Sequence, residues 1–287
     1  MKKRTDLQKT RHRQPNALAK REMLECLQRS GYLMEGRLAK ALQGVGCFVE
    51  PNLSFPDPRT GVSREIDMVT EPFALDSKTP GTCVKTTFII EAINNLYPIL
   101  LLTPKGWSPN TDPSYNLRYK VTPLDDDQAK HPFATEFDVL EWHGVYNWKL
   151  FCQYCSFSRK KQGGELMASH PEDLHTSIRK AAEYLLYTEN DLNSWMDKRK
   201  DDYWRIFQWR ALMVVQNDLY VLSDDKHGAA ALTKIKHAKL EYNLHYGDTP
   251  TSVVLDFIVE EAVPEFVRQV ELKDQQLSTA LHRHRAP

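Results

Sequence analysis

The segments SREIDMVT (63–70) and CVKTTFIIEA (83–92) read as buried β-strands, yet each carries an acid in its apolar run, Asp67 and Glu91. β-Branched and aromatic residues at this density favour strands. A carboxylate taken into a sheet core is costly unless it is paired or holds a metal. Few other features of the sequence restrict the fold as much as these two acids. Under period two, Glu65 and Asp67 share one face while Ile66 and Met68 take the other. Carboxylates meeting at neighbouring strand ends suit a hard divalent cation, Mg²⁺ or Mn²⁺, which takes oxygen ligands. Pairing of Asp67 with Arg64, and a solvated end for Glu91, account for the same residues without a metal.

The flanking sequence places these strands in an α/β chain. Residues 16–43 are helical in pattern, broken at Ser30-Gly31, with Leu24 and Leu27 on one face and Leu38 and Leu42 inward in the second piece. CFVEPNLSF (47–55) and 63–70 flank the turn PDPRTG as a hairpin. Further strands are expected at 97–103, 205–215, 218–223, 238–247 and 252–261. Helices are expected at 171–187, where Pro171 and two acids open the first turn, and at 263–277. Residues 105–135 lack periodicity and read as a long excursion. The expected organisation is a basic segment 1–21, one elaborated domain 22–277 with an insertion at 105–145, and a tail 278–287.

The net charge is zero over 287 residues, which hides an asymmetry. Met1–Arg21 carries eight Lys or Arg and one acid, a leader suited to nucleic acid or to a solvated tail. No run approaches the roughly 20 apolar residues of a membrane span, and no signal peptide is visible. Five cysteines are too few and too scattered for a disulfide framework. These features suggest a reduced, cytoplasmic protein that is not membrane-bound.

Residues 31–103 resemble the PD-(D/E)XK nuclease superfamily, in its restriction-endonuclease-like branch. GYLMEGRLAKAL is similar to the first core helix, which often carries a Glu, here Glu35. VEPNLSF…GVSREIDMV resembles the hairpin ending in the metal-binding Asp, here Asp67. FIIEAINN stands where (D/E)-x-K belongs, with Glu91 as the second acid, and YPILLL resembles the apolar stretch that follows. The resemblance implies a mixed β-sheet flanked by helices, with large insertions after the first half of the core. It also implies a Mg²⁺-dependent (or Mn²⁺-dependent) endonuclease acting on DNA, in bacterial defence or DNA processing. Asp67, Glu91 and the Ala92 carbonyl would hold the metal, with Glu35 near it.

The motif lysine is missing: Ile93 stands in its place and offers no charge or proton. Asn94 could turn inward only through a bulge. Lys85 shares Glu91's face but lies roughly 20 Å along the strand. Helix 171–187 offers His175 and Arg179 on one face with Lys180 adjoining, although an ordinary solvent face explains them too. A degenerate nuclease fold that binds nucleic acid, a protein partner or a second copy without cutting is the alternative. Ile93→Lys is expected to raise cleavage if the rest of the site is intact.

Arg64, Arg159, Lys160, Lys161, Arg179 and Lys180 are the candidate phosphate contacts, three of them in the basic loop SRKKQGG. Cys152 and Cys155, followed by His170 and His175, fall close to a Cys₂His₂ zinc spacing. Pro171 and the apolar run LFCQYCSF argue against zinc. Arg205 and Arg210 alternate with aromatics that could stack on bases or begin a buried strand. Asp256, in VLDFIVEE, suits a local hydrogen bond and is left outside the site.

Overall fold

The computed structural model describes residues 18–73, 79, 81–106, 116–122, 138–159, 164–196, 204–224 and 229–285. Most of the basic leader lies outside them, as do Lys160, Lys161 and much of 105–145. The chain is α/β, a large mixed sheet with helices on both faces.

The first half follows the sequence closely. Helix α1 (Lys20–Ser30) ends and α2 (Tyr32–Gly44) begins at Gly31, whose φ of 89° only glycine adopts cheaply. Strands β1 (Cys47–Pro56) and β2 (Ser63–Pro72) form the expected antiparallel hairpin, and β2 pairs antiparallel with β3 (Thr82–Ile93). Next come β4 (Ile99–Lys105), β5 (Arg118–Thr122), a short α3 (Val139–Trp142), β6 (Leu150–Arg159) and β7 (Leu166–Ser169). Helix α4 (Glu172–Met196) then leads to β8 (Trp204–Val215), which lies parallel to β3 along its whole length. The remainder is β9 (Leu219–Asp224), β10 (Ala230–Ile235), β11 (His237–Tyr246), β12 (Thr249–Val259) and α5 (Val263–Arg285).

The strand order is β1-β2-β3-β8-β12-β11-β6-β4-β9-β10, with β5 on β8 and β7 on β6. Alternation along β3 separates two cores. Ile89 and Ile93 pack with Ile178, Ala181, Ala182 and Leu185 of α4. Phe88 and Ile90 pack with Met34, Leu38 and Leu42 of α2 and with Val263, Val267 and Val270 of α5. Each such aliphatic contributes about 1.5–3 kcal/mol by its burial. The result is three layers, which fixes α4 on the Glu91 face.

Several expectations need correction. Helix α4 continues nine residues past 187. Helix α5 runs through 278–285, burying Ser278 and Leu281, so no separate tail begins at 278. Strands β7 and β10 were not foreseen. Ile66 packs on the α4 side and Met68 on the α2 side, so period two breaks at Asp67. Opposite that point Asn52 has a φ of 55°, which distorts the β1 edge.

Candidate active site

Strands β2 and β3 pair at Met68–Ile90, Val69–Ile89 and Thr70–Phe88, and the ladder stops one step short of Asp67 and Glu91. There the side chains take over from the backbone. The Asp67 amide donates to Glu91 Oε1 at 3.3 Å, and the Ala92 amide donates to Asp67 Oδ2 at 2.8 Å. Each carboxylate thus satisfies an N–H on or beside the other acid's strand, which explains how two acids are held at a fork in a sheet. Glu91 is 1% exposed, Asp67 only half-buried, and Glu65 remains at the surface.

The positive charge comes from α4. Lys180 Nζ lies 2.8 Å from Glu91 Oε1 and 3.3 Å from Asp67 Oδ1. It sits at the margin of the buried stripe Ile178–Ala181–Ala182–Leu185, so its stem packs inward while the ammonium reaches the fork. The solvent-face reading of this part of the helix is therefore wrong for Lys180. Ile93 is buried among apolar neighbours of the α4-side core and offers nothing to the acids. Asn94 does not turn inward; its amide donates to the carbonyls of Gln28 and Arg29 at the end of α1. Lys85 pairs with Glu71, away from the fork.

Electrostatics tie a third acid to this group. Burial pushes the Glu35 carboxyl upward, Asp67 adds to the rise and Lys180 opposes it. Burial, then the charge of Asp67, drives Glu91 up to about 8 despite Lys180. Burial works against the Lys180 ammonium, but Glu91 and Asp67 outweigh it and hold its pKa above the usual value. Three carboxyls thus share one ammonium, and the site is short of positive charge.

The remaining candidates fall elsewhere. Arg64 Nη1 meets Glu183 at 2.6 Å and its Nε meets Asp57 at 2.9 Å, while Arg179 Nε meets Glu183 at 2.7 Å. Neither arginine pairs with Asp67. Glu183, fully buried one turn beyond Lys180, was missed; an acid in the apolar run AAEYLL was the signal for it. Arg159 donates to the Gly164 carbonyl; Lys160 and Lys161 lie outside the described residues. His175 bonds the Tyr154 hydroxyl at 2.8 Å, and His170 packs edge-on against the same ring. Cys152 is exposed and Cys155 buried, so the four residues of the zinc spacing do not converge. Among the described residues no three His, Cys, Asp or Glu form a metal-holding group; Asp67 and Glu91 remain a pair, without Glu35 as a close third ligand. Trp204 opens β8 half-buried and Trp209 is buried within it, which agrees with the strand reading of 204–210.

No family model, curated protein or solved structure matches this chain. No helix among the described residues is long and apolar enough to cross a membrane. Beside the fork a cleft of about 640 Å³ opens, lined by Ala92, Ile93, Asn94, Ser156, Ser158 and Ser177 among others. A ligand in this cleft would reach the Ala92 end of the site.

Proposed function

We propose that the chain is a divalent-metal-dependent endonuclease of the PD-(D/E)XK type, in which Lys180 replaces the missing motif lysine. One observation carries the reading: the Lys180 ammonium bridges Asp67 and Glu91, supplying from a helix the charge that position 93 lacks. The succession of helix, hairpin and acid-bearing strand also agrees with the resemblance.

The donor set fits a hard cation. Its groups are all oxygen, two carboxylates at a strand fork with the Ala92 carbonyl beside them, and they lack charge compensation. Bound there, Mg²⁺ would polarise a phosphoryl oxygen and lower the pKa of the attacking water. Asp67 and Glu91 would hold and orient the ion. Lys180 stays protonated at neutral pH, so it serves as a charge stabiliser and water-positioning donor rather than a general base. Glu35, biased towards its neutral form, can donate or accept a proton at the edge of the site.

The test uses plasmid, linear and single-stranded DNA with Mg²⁺, Mn²⁺ or chelator. Cleavage is expected only with metal, and Asp67→Ala should reduce it by about 100-fold or more. Cleavage that persists in Asp67→Ala, or salt-sensitive DNA binding without cutting, would refute the proposal. The latter result would favour a degenerate binding protein in which Lys180 merely neutralises the acids.

A further inference from the structure

A second cluster of charge lies on the other face of the sheet. Arg210 of β8, beside Phe88, points to the α5 side, whereas Glu91 faces α4. Around it a cavity of about 500 Å³ is walled by β6, β8–β11 and α5. Lys149, Arg210, Lys239 and Lys273 line it with His143 and His237, and among the described residues no carboxylate does. Behind the wall, Asp256 receives Lys239, His237 at 2.7 Å and Arg210 at 3.6 Å. Asp274 stands 3.3 Å from His143 and accepts from Gln208. These two acids thus meet two of the four Lys and Arg side chains of the lining, Arg210 and Lys239, as well as both histidines.

An internal ion network alone leaves part of this unexplained. Arg210 is 5% exposed, and its buried Nε has no hydrogen-bond partner among the described residues. A buried guanidinium nitrogen without an acceptor is costly, and a ligand oxygen would supply one. Among the described residues, Lys273 reaches only the His143 carbonyl, at 3.3 Å. Trp148 stands under both Lys239 and Arg210, at 3.8 and 5.1 Å from its ring centre, so the wall is flat and apolar between the charges. Val221, Ile235, Phe266 and Val270 extend that apolar lining, and Asn147 places an amide at the mouth.

We infer that this cavity binds a mononucleotide, its phosphate held by Arg210, Lys239 and Lys273 and its base lying against the apolar wall. The volume falls in the range of small-molecule sites. The charge selects an anion, and the flat lining with two amides, Asn147 and Gln269, selects a planar heterocycle over a bare ion. A nucleic-acid duplex is a poorer fit, because Arg210 and Lys239 are recessed to 5% and 6% exposure while backbone phosphates meet protruding side chains. Burial first, then Arg210 and Lys273, lowers the Lys239 pKa to about 8 against the pull of Asp256; an added phosphate would restore the ammonium.

The experiment titrates the full chain with AMP, GMP, CMP and UMP by calorimetry, with adenosine and orthophosphate as controls. At least one mononucleotide should bind, and at least ten-fold more tightly than orthophosphate or adenosine. Lys273→Glu, on a half-buried helix position, should weaken that binding at least ten-fold while leaving the ligand-free melting temperature near that of the parent. Arg210→Met should abolish binding, and circular dichroism would show whether it still folds. No binding by any of the four, equal binding of orthophosphate, or binding indifferent to Lys273→Glu overturns the inference. Asp67→Ala should bind the mononucleotide as the parent does, so this proposal and the nuclease reading fail separately.

Discussion

Replacing Lys180 by methionine keeps most of the side-chain stem and removes the ammonium that separates Glu91 from Asp67. Two acids then confront each other at a buried fork, and Glu91 holds its proton more firmly. The variant should lose about 2–3 kcal/mol in urea unfolding with chelator. It should cut DNA about 100-fold more slowly, yet gain more stability from Mg²⁺ than the parent, since the ion no longer competes with an ammonium. Ile93→Lys now has a different expected outcome from the gain suggested by the motif. Ile93 lies in a packed core and the charge is already supplied, so the substitution should destabilise by about 2–4 kcal/mol without raising cleavage. Glu91 gives the pH dependence. Its folded pKa of about 8 lies above its ordinary 4.5, so the metal-free fold is favoured most below 4.5 and loses stability as the pH rises towards 8. Metal must displace that proton, so Mg²⁺ affinity should rise about ten-fold per pH unit below 8. Glu91→Gln should remove the dependence, as thermal melts across pH 5–9 with and without Mg²⁺ would show.

At the scale of elements, the position of Lys180 depends on how α4 is fastened. Glu183, a turn away, accepts from Arg64 of β2 and Arg179 of its own helix and lies 4.0 Å from Arg59. This ties the helix to the strand that carries Asp67. Glu183→Ala removes the buried acid that the part-exposed Arg64 and Arg179 share and should cost about 1–3 kcal/mol in chemical denaturation; with the helix less firmly held, cleavage should also fall although no proposed metal ligand has changed. These links mark what the sequence could and could not convey. The acids Asp67 and Glu91 were legible because burial makes a carboxylate in an apolar strand conspicuous. The hairpin was legible from its turn chemistry, and α4 from the proline and acids at its start and its apolar spacing. The cation was not, because local periodicity put Lys180 beside a face that looked solvated, and only the crossing of α4 over the β2–β3 fork turns it inward. The break in alternation at Asp67 was hidden too, since it follows from the carboxylates replacing ladder hydrogen bonds. Strand β10, with most positions exposed, had no burial pattern to reveal it.

Across the whole molecule the sheet consists of two unequal parts. Strands β1, β2, β3, β8, β12 and β11 form one, and β6, β4, β9 and β10 the other. They meet where β11 pairs with β6 at only two positions, Lys239–Leu150 and Leu240–Phe151, whereas β3 and β8 pair over twelve. Backbone opening free energy follows local packing and pairing. Amides of β3 and β8 should therefore exchange slowest with deuterium, and those of β9 and β10 fastest among the paired strands, before global unfolding. The cavity at Arg210 straddles this seam: Trp148, Phe151, Val221 and Ile235 come from one side, and Arg210, His237 and Lys239 from the other. A ligand gripping both sides stabilises only the joined state, so it must raise the free energy of separating them. With the mononucleotide bound, exchange at 150–151, 219–224 and 230–235 should slow, while the amides of 67–70 and 88–92 change little. The reverse pattern, protection around Asp67 and none at the seam, would place the ligand at the Asp67–Glu91 fork and dissolve the distinction between the two faces.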